Sequence, residues 1–236
     1  MISVVIPAYN EEELIGKCLD SLVAQKTSEE FEVILVDNNS TDNTSKIAES
    51  YQGKLNLRII LEKEKGRGTA RYAGFKQAQG LIILSLDADT TAPPDWIDKM
   101  IGPLGSRQAV ATTGPCQFCD GDKFTNTIMS AFQPNSMRLY RLFLGHYWLS
   151  GFNFAITKEA YDQSGGFHPK INAQEDIELT FKVNKIGKIK FLPNAVVTAS
   201  GRRFRKGMIR GFLPYITTYI SYFFLKKDNP ILSDVR

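Results

Sequence analysis

The sequence predicts an α/β protein built on a mostly parallel sheet with helices on both faces. Two patterns carry that expectation. Four short runs of continuously apolar, β-branched residues alternate with segments of helical spacing in the first hundred residues, as strands covered on both faces require. Each run is also followed by a polar cluster, and in open α/β sheets ligands bind outside the carboxyl ends of the strands.

The elements follow in order. Ile2 to Ile6 reads as the first strand, ended by Pro7. Asn10 and Glu13 have the spacing of a capping box, and Leu14, Ile15, Cys18, Leu19, Leu22 and Val23 repeat at helical intervals. Phe31 to Val36 is the second strand, followed by a polar turn and a helix from about Asp42. Leu57 to Leu61 is the third strand, Thr69 to Gln79 a helix, and Leu81 to Leu86 the fourth strand. The second half is less regular. Strands are expected over Gln108 to Cys116 and Asn153 to Thr157, with a helical or mixed stretch between them that contains Met137, Leu139, Tyr140, Leu142 and Phe143. A helix should begin near Asn172, before short strands at Lys188 to Leu192 and Ala195 to Ala199.

No repeat or low-complexity linker interrupts the chain before about Arg202, so residues 1–203 read as one domain and 204–236 as an appended segment. Arg202, Arg203, Arg205, Lys206 and Arg210 stand just before the aromatic run Phe212 to Leu225. A terminal core helix with a solvated basic edge would look like this. So would an amphipathic segment lying on an anionic membrane surface, which is the expectation adopted. Pro214, Thr217, Thr218 and Ser221 break the run, against a full span.

Composition narrows the class further. At 236 residues with 43% hydrophobic and 23% charged side chains, the chain is neither disordered nor collagen-like. A net charge of +4 is too mild to indicate a nucleic-acid partner. Three cysteines are too few for a disulfide scaffold and the first residues lack a leader pattern, so a reducing, cytoplasmic location is expected, peripheral on the membrane. Cys116-Gln117-Phe118-Cys119 lacks two further ligands for zinc, since His146 and His168 are isolated.

Four clusters carry chemistry. Asp87-Ala88-Asp89 follows the most apolar strand, and alternate residues of an extended chain project to one side, so both carboxylates can approach one cation or a cation and a ribose. Lys65-Gly66-Arg67-Gly68-Thr69-Ala70-Arg71 has the composition of a phosphate cradle at a helix start, yet Arg71 replaces the last glycine of the dinucleotide-binding pattern. Tyr9, Asn10 and Glu11 follow the first strand, and Asp37 to Asp42 the second. In the helix opened by Gln174-Glu175-Asp176, Asp176 shares a face with Leu179, Val183 and Ile186, whereas Glu175 falls with Glu178 and Lys182. Asp176 is therefore expected to point inward and Glu175 toward solvent. An inward carboxylate beside a substrate hydroxyl suits a general base.

Taken together, Val4-Val5-Ile6-Pro7-Ala8-Tyr9-Asn10-Glu11, Val36-Asp37-Asn38-Asn39-Ser40-Thr41-Asp42, Leu86-Asp87-Ala88-Asp89 and Gln174-Glu175-Asp176 resemble family 2 glycosyltransferases of the GT-A fold, over roughly Ser3 to Arg203. The resemblance implies an inverting, metal-dependent transferase that uses a nucleotide-sugar donor and a glycan or lipid-linked acceptor. It places Pro7, Ala8, Tyr9, Glu11, Asp37 and Asn39 around the nucleotide, with Asp37 at the base and Lys65 and Arg71 in the segment closing over it. It likewise puts Asp87 near ribose or metal, Ala88 in the nucleotide pocket, Asp89 on Mg²⁺ or Mn²⁺, and Asp176 as the base. Gly151-Phe152-Asn153 resembles the acceptor-side loop, with Glu175 beside it. Two departures stand out: Ala199-Ser200-Gly201-Arg202 lacks the late histidine of many relatives, so that Arg202 or Arg203 is expected to assist the diphosphate, and the Gln-x-x-Arg-Trp motif of processive synthases is absent, which favours transfer of a single sugar. A sugar-nucleotide nucleotidyltransferase would need a glycine-rich, Arg-containing loop after the first strand in place of Pro7-Ala8-Tyr9-Asn10-Glu11. A non-catalytic binding module would have no need of Asp89 and Asp176 together.

Overall fold

Strands and helices alternate from the first residues of the computed structural model, which describes residues 1–119, 123–204, 211, 213–214 and 217–218. In chain order the elements are β1 (Ile2–Ala8), α1 (Ile15–Val23), β2 (Phe31–Asp37), α2 (Thr44–Glu49), β3 (Leu57–Leu61), α3 (Arg67–Gln77), β4 (Ile82–Leu86), β5 (Thr90–Thr91), α4 (Trp96–Gly105), β6 (Ala111–Thr113), β7 (Cys116–Phe118), α5 (Lys123–Leu144), β8 (Asn153–Thr157), α6 (Lys158–Gln163), α7 (Glu175–Asn184), β9 (Ile189–Phe191) and β10 (Val197–Ala199), followed by a 3₁₀ turn at Arg202–Phe204. Apart from a few positions, the segment after Phe204 lies outside the described residues, and with it the expected membrane-surface tail. Among the described residues, no helix is long and apolar enough to cross a membrane.

Seven strands form the main sheet in the order β3-β2-β1-β4-β8-β6-β9. The first four run parallel, and β8 is antiparallel to both β4 and β6. The mostly parallel α/β architecture expected from the sequence is therefore present. Strand alternation divides the core. Val4, Ile6, Val33, Leu35, Leu84 and Leu86 face Ile15, Leu19, Trp96 and Met100. Val5, Ile34, Val36 and Ile83 face Ala70, Phe75, Phe154, Leu179 and Val183. Each such side chain contributes about 1.5–3 kcal/mol by leaving water, which fixes the register. Ala8 pairs with Asp37, and Asp37 with Leu61, so the three strand ends form one rim. The chain leaves β1 for β2 on one side and returns to β4 on the other, opening a crevice at that switch point.

Some expectations are corrected. Asn10 does not cap a helix: with φ of 51°, it accepts a hydrogen bond from the Thr41 N–H (2.8 Å) and its own N–H donates to the Ser40 hydroxyl (3.0 Å). Pairing with the loop after β2 displaces the local capping box, and α1 starts at Ile15. The single strand expected over Gln108 to Cys116 breaks at Gly114-Pro115, giving β6 to the main sheet and β7 to a small sheet with β10 and β5. Helix α4 was absent from the sequence expectation because Gly102, Pro103 and Gly105 obscure its period, although Trp96, Ile97 and Met100 bury its inner face.

Candidate active site

The crevice between the ends of β1 and β4 widens into a cleft of about 580 Å³, within the range of small-molecule sites. Pro7, Ala8, Tyr9 and Glu11 line it from the β1 loop, Asp87, Ala88 and Asp89 from the β4 loop, and Glu175 and Asp176 from the start of α7. Three of the clusters singled out in sequence thus meet in one place, joined by Gly151, by Arg67, Ala70 and Arg71 of the glycine-rich segment, and by Asn38 alone from the turn after β2.

Arg71 organises the floor. Its side chain is 4% exposed, donates to Asp87 Oδ1 at 2.6 Å and pairs with Glu175 through the other terminal nitrogen. Burial alone would weaken its charge, but Asp87, Glu175 and Asp176 hold its pKa above the ordinary value, so it remains a cation. The expectation that Glu175 turns toward solvent is wrong: the residue is 5% exposed. Helical phase along α7 does not register Arg71, which reaches in from α3 and draws the carboxylate inward. The inward placement of Asp176 holds. It accepts hydrogen bonds from the Gly151 N–H (3.1 Å) and from its neighbour's N–H at Ile177 (2.8 Å). Gly151 must lack a side chain here, because a Cβ would lie 2.8 Å from Arg71 Nη2 and 3.3 Å from Asp176 Oδ2. Burial raises both acids. Glu175 is pushed to about 7, with Arg71 opposing and Asp176 adding to the rise; Asp176 is pushed up against Arg71 and its two N–H donors, with Asp87 adding to the rise.

Arg202 stands at the opposite wall. Its Nη2 lies 3.0 Å from Asp89 Oδ2 and also pairs with Glu11, which is 4% exposed. Two hard carboxylates on alternate residues fit a cation such as Mg²⁺ or Mn²⁺ that takes its remaining ligands from a diphosphate and water. Among the described residues, no group of three or more His, Cys, Asp or Glu forms a closed metal site. The carboxylates of Asp87 and Asp89 are the hard donors such a cation takes, and here Asp87 pairs with Arg71 and Asp89 with Arg202.

Other expected residues do not line the cleft. Asp37 closes its own turn, accepting from the Ser40 N–H at 2.8 Å and from the Ser45 hydroxyl. Asn39 takes a left-handed conformation in that turn, with φ of 65°. Lys65 reaches the rim indirectly, donating to the Tyr9 hydroxyl at 2.8 Å. Asn153 is fully buried and ties elements together, accepting from Trp96 Nε1 (2.9 Å) and donating to the carbonyls of Pro115 (2.9 Å) and Ala195 (2.8 Å). In the glycine-rich segment the Gly66 N–H donates to Asn38 Oδ1 at 2.7 Å, and a Cβ on Gly68 would sit 1.8 Å from the Ile171 carbonyl oxygen, while Arg67, Ala70 and Arg71 line the cleft. The segment's small residues serve close packing between α3 and the loop before α7. Sequence reasoning named Phe152 but did not assemble the aromatic wall of Phe118, Phe132, Trp148, Phe152 and Phe204. No period links these residues, which come from β7, α5, the loop before β8 and the 3₁₀ turn.

A mixed sheet of this order, with paired acids at its switch point and an acid-bearing helix opposite, defines the GT-A class of glycosyltransferase fold. The model of glycosyl transferase family 2 matches residues 3–167, more than half of the chain, and the chain belongs to that family. It is 38% identical over 105 residues to the undecaprenyl-phosphate 4-deoxy-4-formamido-L-arabinose transferase of Proteus mirabilis, a match covering 42% of this chain and 32% of the relative. The chain thus spans about a third of that relative's length. Among solved structures, S. aureus TarS 1–349 in complex with UDP-GlcNAc superposes with a TM-score of 0.69 at 23% identity, over 84% of this chain and 58% of that one. The Pyrobaculum calidifontis mannosyltransferase PcManGT in complex with GDP-Man and Mn²⁺ gives a TM-score of 0.66 at 22% identity, over 92% and 64%. At such identities the likeness of the two structures establishes the fold.

Proposed function

We propose that the protein transfers a single sugar, with inversion, from a nucleotide-sugar of the UDP type to a hydroxyl group of a glycan or lipid-linked acceptor. The observation that carries this reading is the position of Asp176. Its carboxylate is held by the Gly151 N–H inside the cleft, across from Asp87 and Asp89, and its raised pKa favours proton acceptance. The named ligands and acceptors of the relatives support the choice of donor and acceptor classes.

In this reading the acceptor hydroxyl lies against Asp176. The oxygen attacks the anomeric carbon from the face opposite the diphosphate, its proton passes to Asp176, and the bonding pair of the breaking C–O bond leaves with the diphosphate. One displacement inverts the centre without a covalent enzyme intermediate. Asp89, with Asp87, would hold Mg²⁺ or Mn²⁺. Bound there, the cation would offset charge on the leaving diphosphate. Arg202 stands beside Asp89 with a second cationic group for the same oxygens. Arg71 keeps Glu175 and Asp87 in place and so orients the first turn of α7.

The test is Asp176→Asn, which keeps the shape and removes the proton acceptor. Transfer should fall at least ~10²-fold, while UDP affinity by calorimetry stays near wild type. Near-normal transfer by the variant would overturn the assignment, and NMR of the product's anomeric configuration checks inversion.

A further inference from the structure

The middle of helix α5 forms a wall of the cleft and its last turns face solvent. Phe132, Gln133 and Ser136 line the cleft. Steps of four, three and four residues then place Phe132, Ser136, Leu139 and Phe143 on one face. Along this helix Phe132 is 52% exposed, Leu139 54%, Leu142 78%, Phe143 77% and Leu144 45%. Scattered apolar residues on a surface need no explanation, but a run of them on one helix marks an interaction site.

Charge identifies the partner. The 22-residue sequence of α5 contains no Asp or Glu, while Arg138 is exposed one turn before Leu142, and Arg141 is exposed but donates to the Tyr147 hydroxyl (3.1 Å) and lies over its ring. A second copy of this face would set arginines against arginines, with no carboxylate of α5 to answer them. The chain's own segment 205–236 is also mainly basic, with Arg205, Lys206, Arg210, Lys226, Lys227 and Arg236 against Asp228 and Asp234. An anionic lipid surface complements both features at once: apolar side chains enter the acyl boundary and arginines meet lipid phosphates.

We propose that the exposed face of α5, centred on Leu142 and Phe143, docks the protein on an anionic bilayer. The stripe starting at Phe132 would then bring the cleft mouth to the membrane. This goes beyond the transferase reading and does not depend on it.

The experiment is flotation of the full chain with vesicles of phosphatidylcholine plus phosphatidylglycerol, and with pure phosphatidylcholine. Wild type should float with the anionic vesicles, less so at high salt. The double variant Leu142→Glu with Phe143→Glu should lower the partition coefficient at least about tenfold, and Arg138→Gln with Arg141→Gln should erase the preference for anionic lipid. All four side chains are exposed, so UDP binding should match wild type; the acidic double variant should unfold at the wild-type temperature, and the arginine variant should lose at most the surface contacts of Arg141 with Tyr147 and Arg138 with Asn135. Three results would overturn the proposal: no wild-type binding to either vesicle; unchanged binding by the acidic double variant, which would place docking elsewhere, such as 205–236; or a vesicle-free dimer that this variant dissolves.

Discussion

Arg71 and Glu175 are buried, Asp176 is half-buried and the Asp87 side chain is 33% exposed, and within this set one cation faces three carboxylates. Asp176 must be ionised to accept a proton, and burial raises its pKa, so transfer should decline with falling pH well before an exposed aspartate would protonate. Because the neighbouring acid Glu175 is raised to about 7, the pair should titrate as a unit, with an acidic limb in the log kcat profile. Glu175→Gln removes one negative charge and leaves more of the Arg71 charge for Asp176. The limb should therefore move to lower pH, as pH-dependent single-turnover rates would show; an unmoved limb would mean that the two acids are not coupled. Arg71→Met should be more damaging. It leaves the buried Glu175 carboxylate unanswered, at a cost of about 3–5 kcal/mol near neutrality. Protonation relieves that cost, so urea unfolding should show the deficit shrinking as pH falls.

Between elements, the decisive contact is that of α3 with the loop leading into α7. Thr69 donates through its hydroxyl to the Pro169 carbonyl at 2.9 Å, and Gly68 lies under the Ile171 carbonyl. Gly68→Ala forces a methyl group against backbone that cannot rotate away, and overpacking of this kind costs about 1–3 kcal/mol. The variant should lower the urea midpoint. It should also slow transfer, because the displaced loop carries Glu175 and Asp176; full activity with reduced stability would separate the loop from the site. The strands were legible because burial on both faces demands continuous apolar runs, and β3 and β8 match their sequence bounds. The face of Glu175 was misread because a helical wheel sees one helix, whereas its partner stands 104 positions away.

On the scale of the whole molecule, the site exists only where the two halves of the sheet meet, so a ligand bridging them should stabilise the fold. UDP with Mg²⁺ or Mn²⁺ should raise Tm, by linkage worth about 2.7 kcal/mol at a hundredfold excess over Kd, and more than UDP alone. No shift with UDP, GDP or their sugar conjugates in the presence of metal would count against donor binding. The sequence by itself determined the α/β class and the rim on which polar clusters gather, and it singled out Asp87, Asp89 and Asp176, which line the cleft. Period and turn composition are local properties, and hydrophobic burial acts on them residue by residue. Only the tertiary structure decided which clusters reach the cleft: Asp37 closes a turn, Asn153 becomes an internal tie, and Arg202 crosses 191 positions to Glu11. Those outcomes depend on which buried polar groups find partners, and the partners come from distant parts of the chain brought together by the packed core.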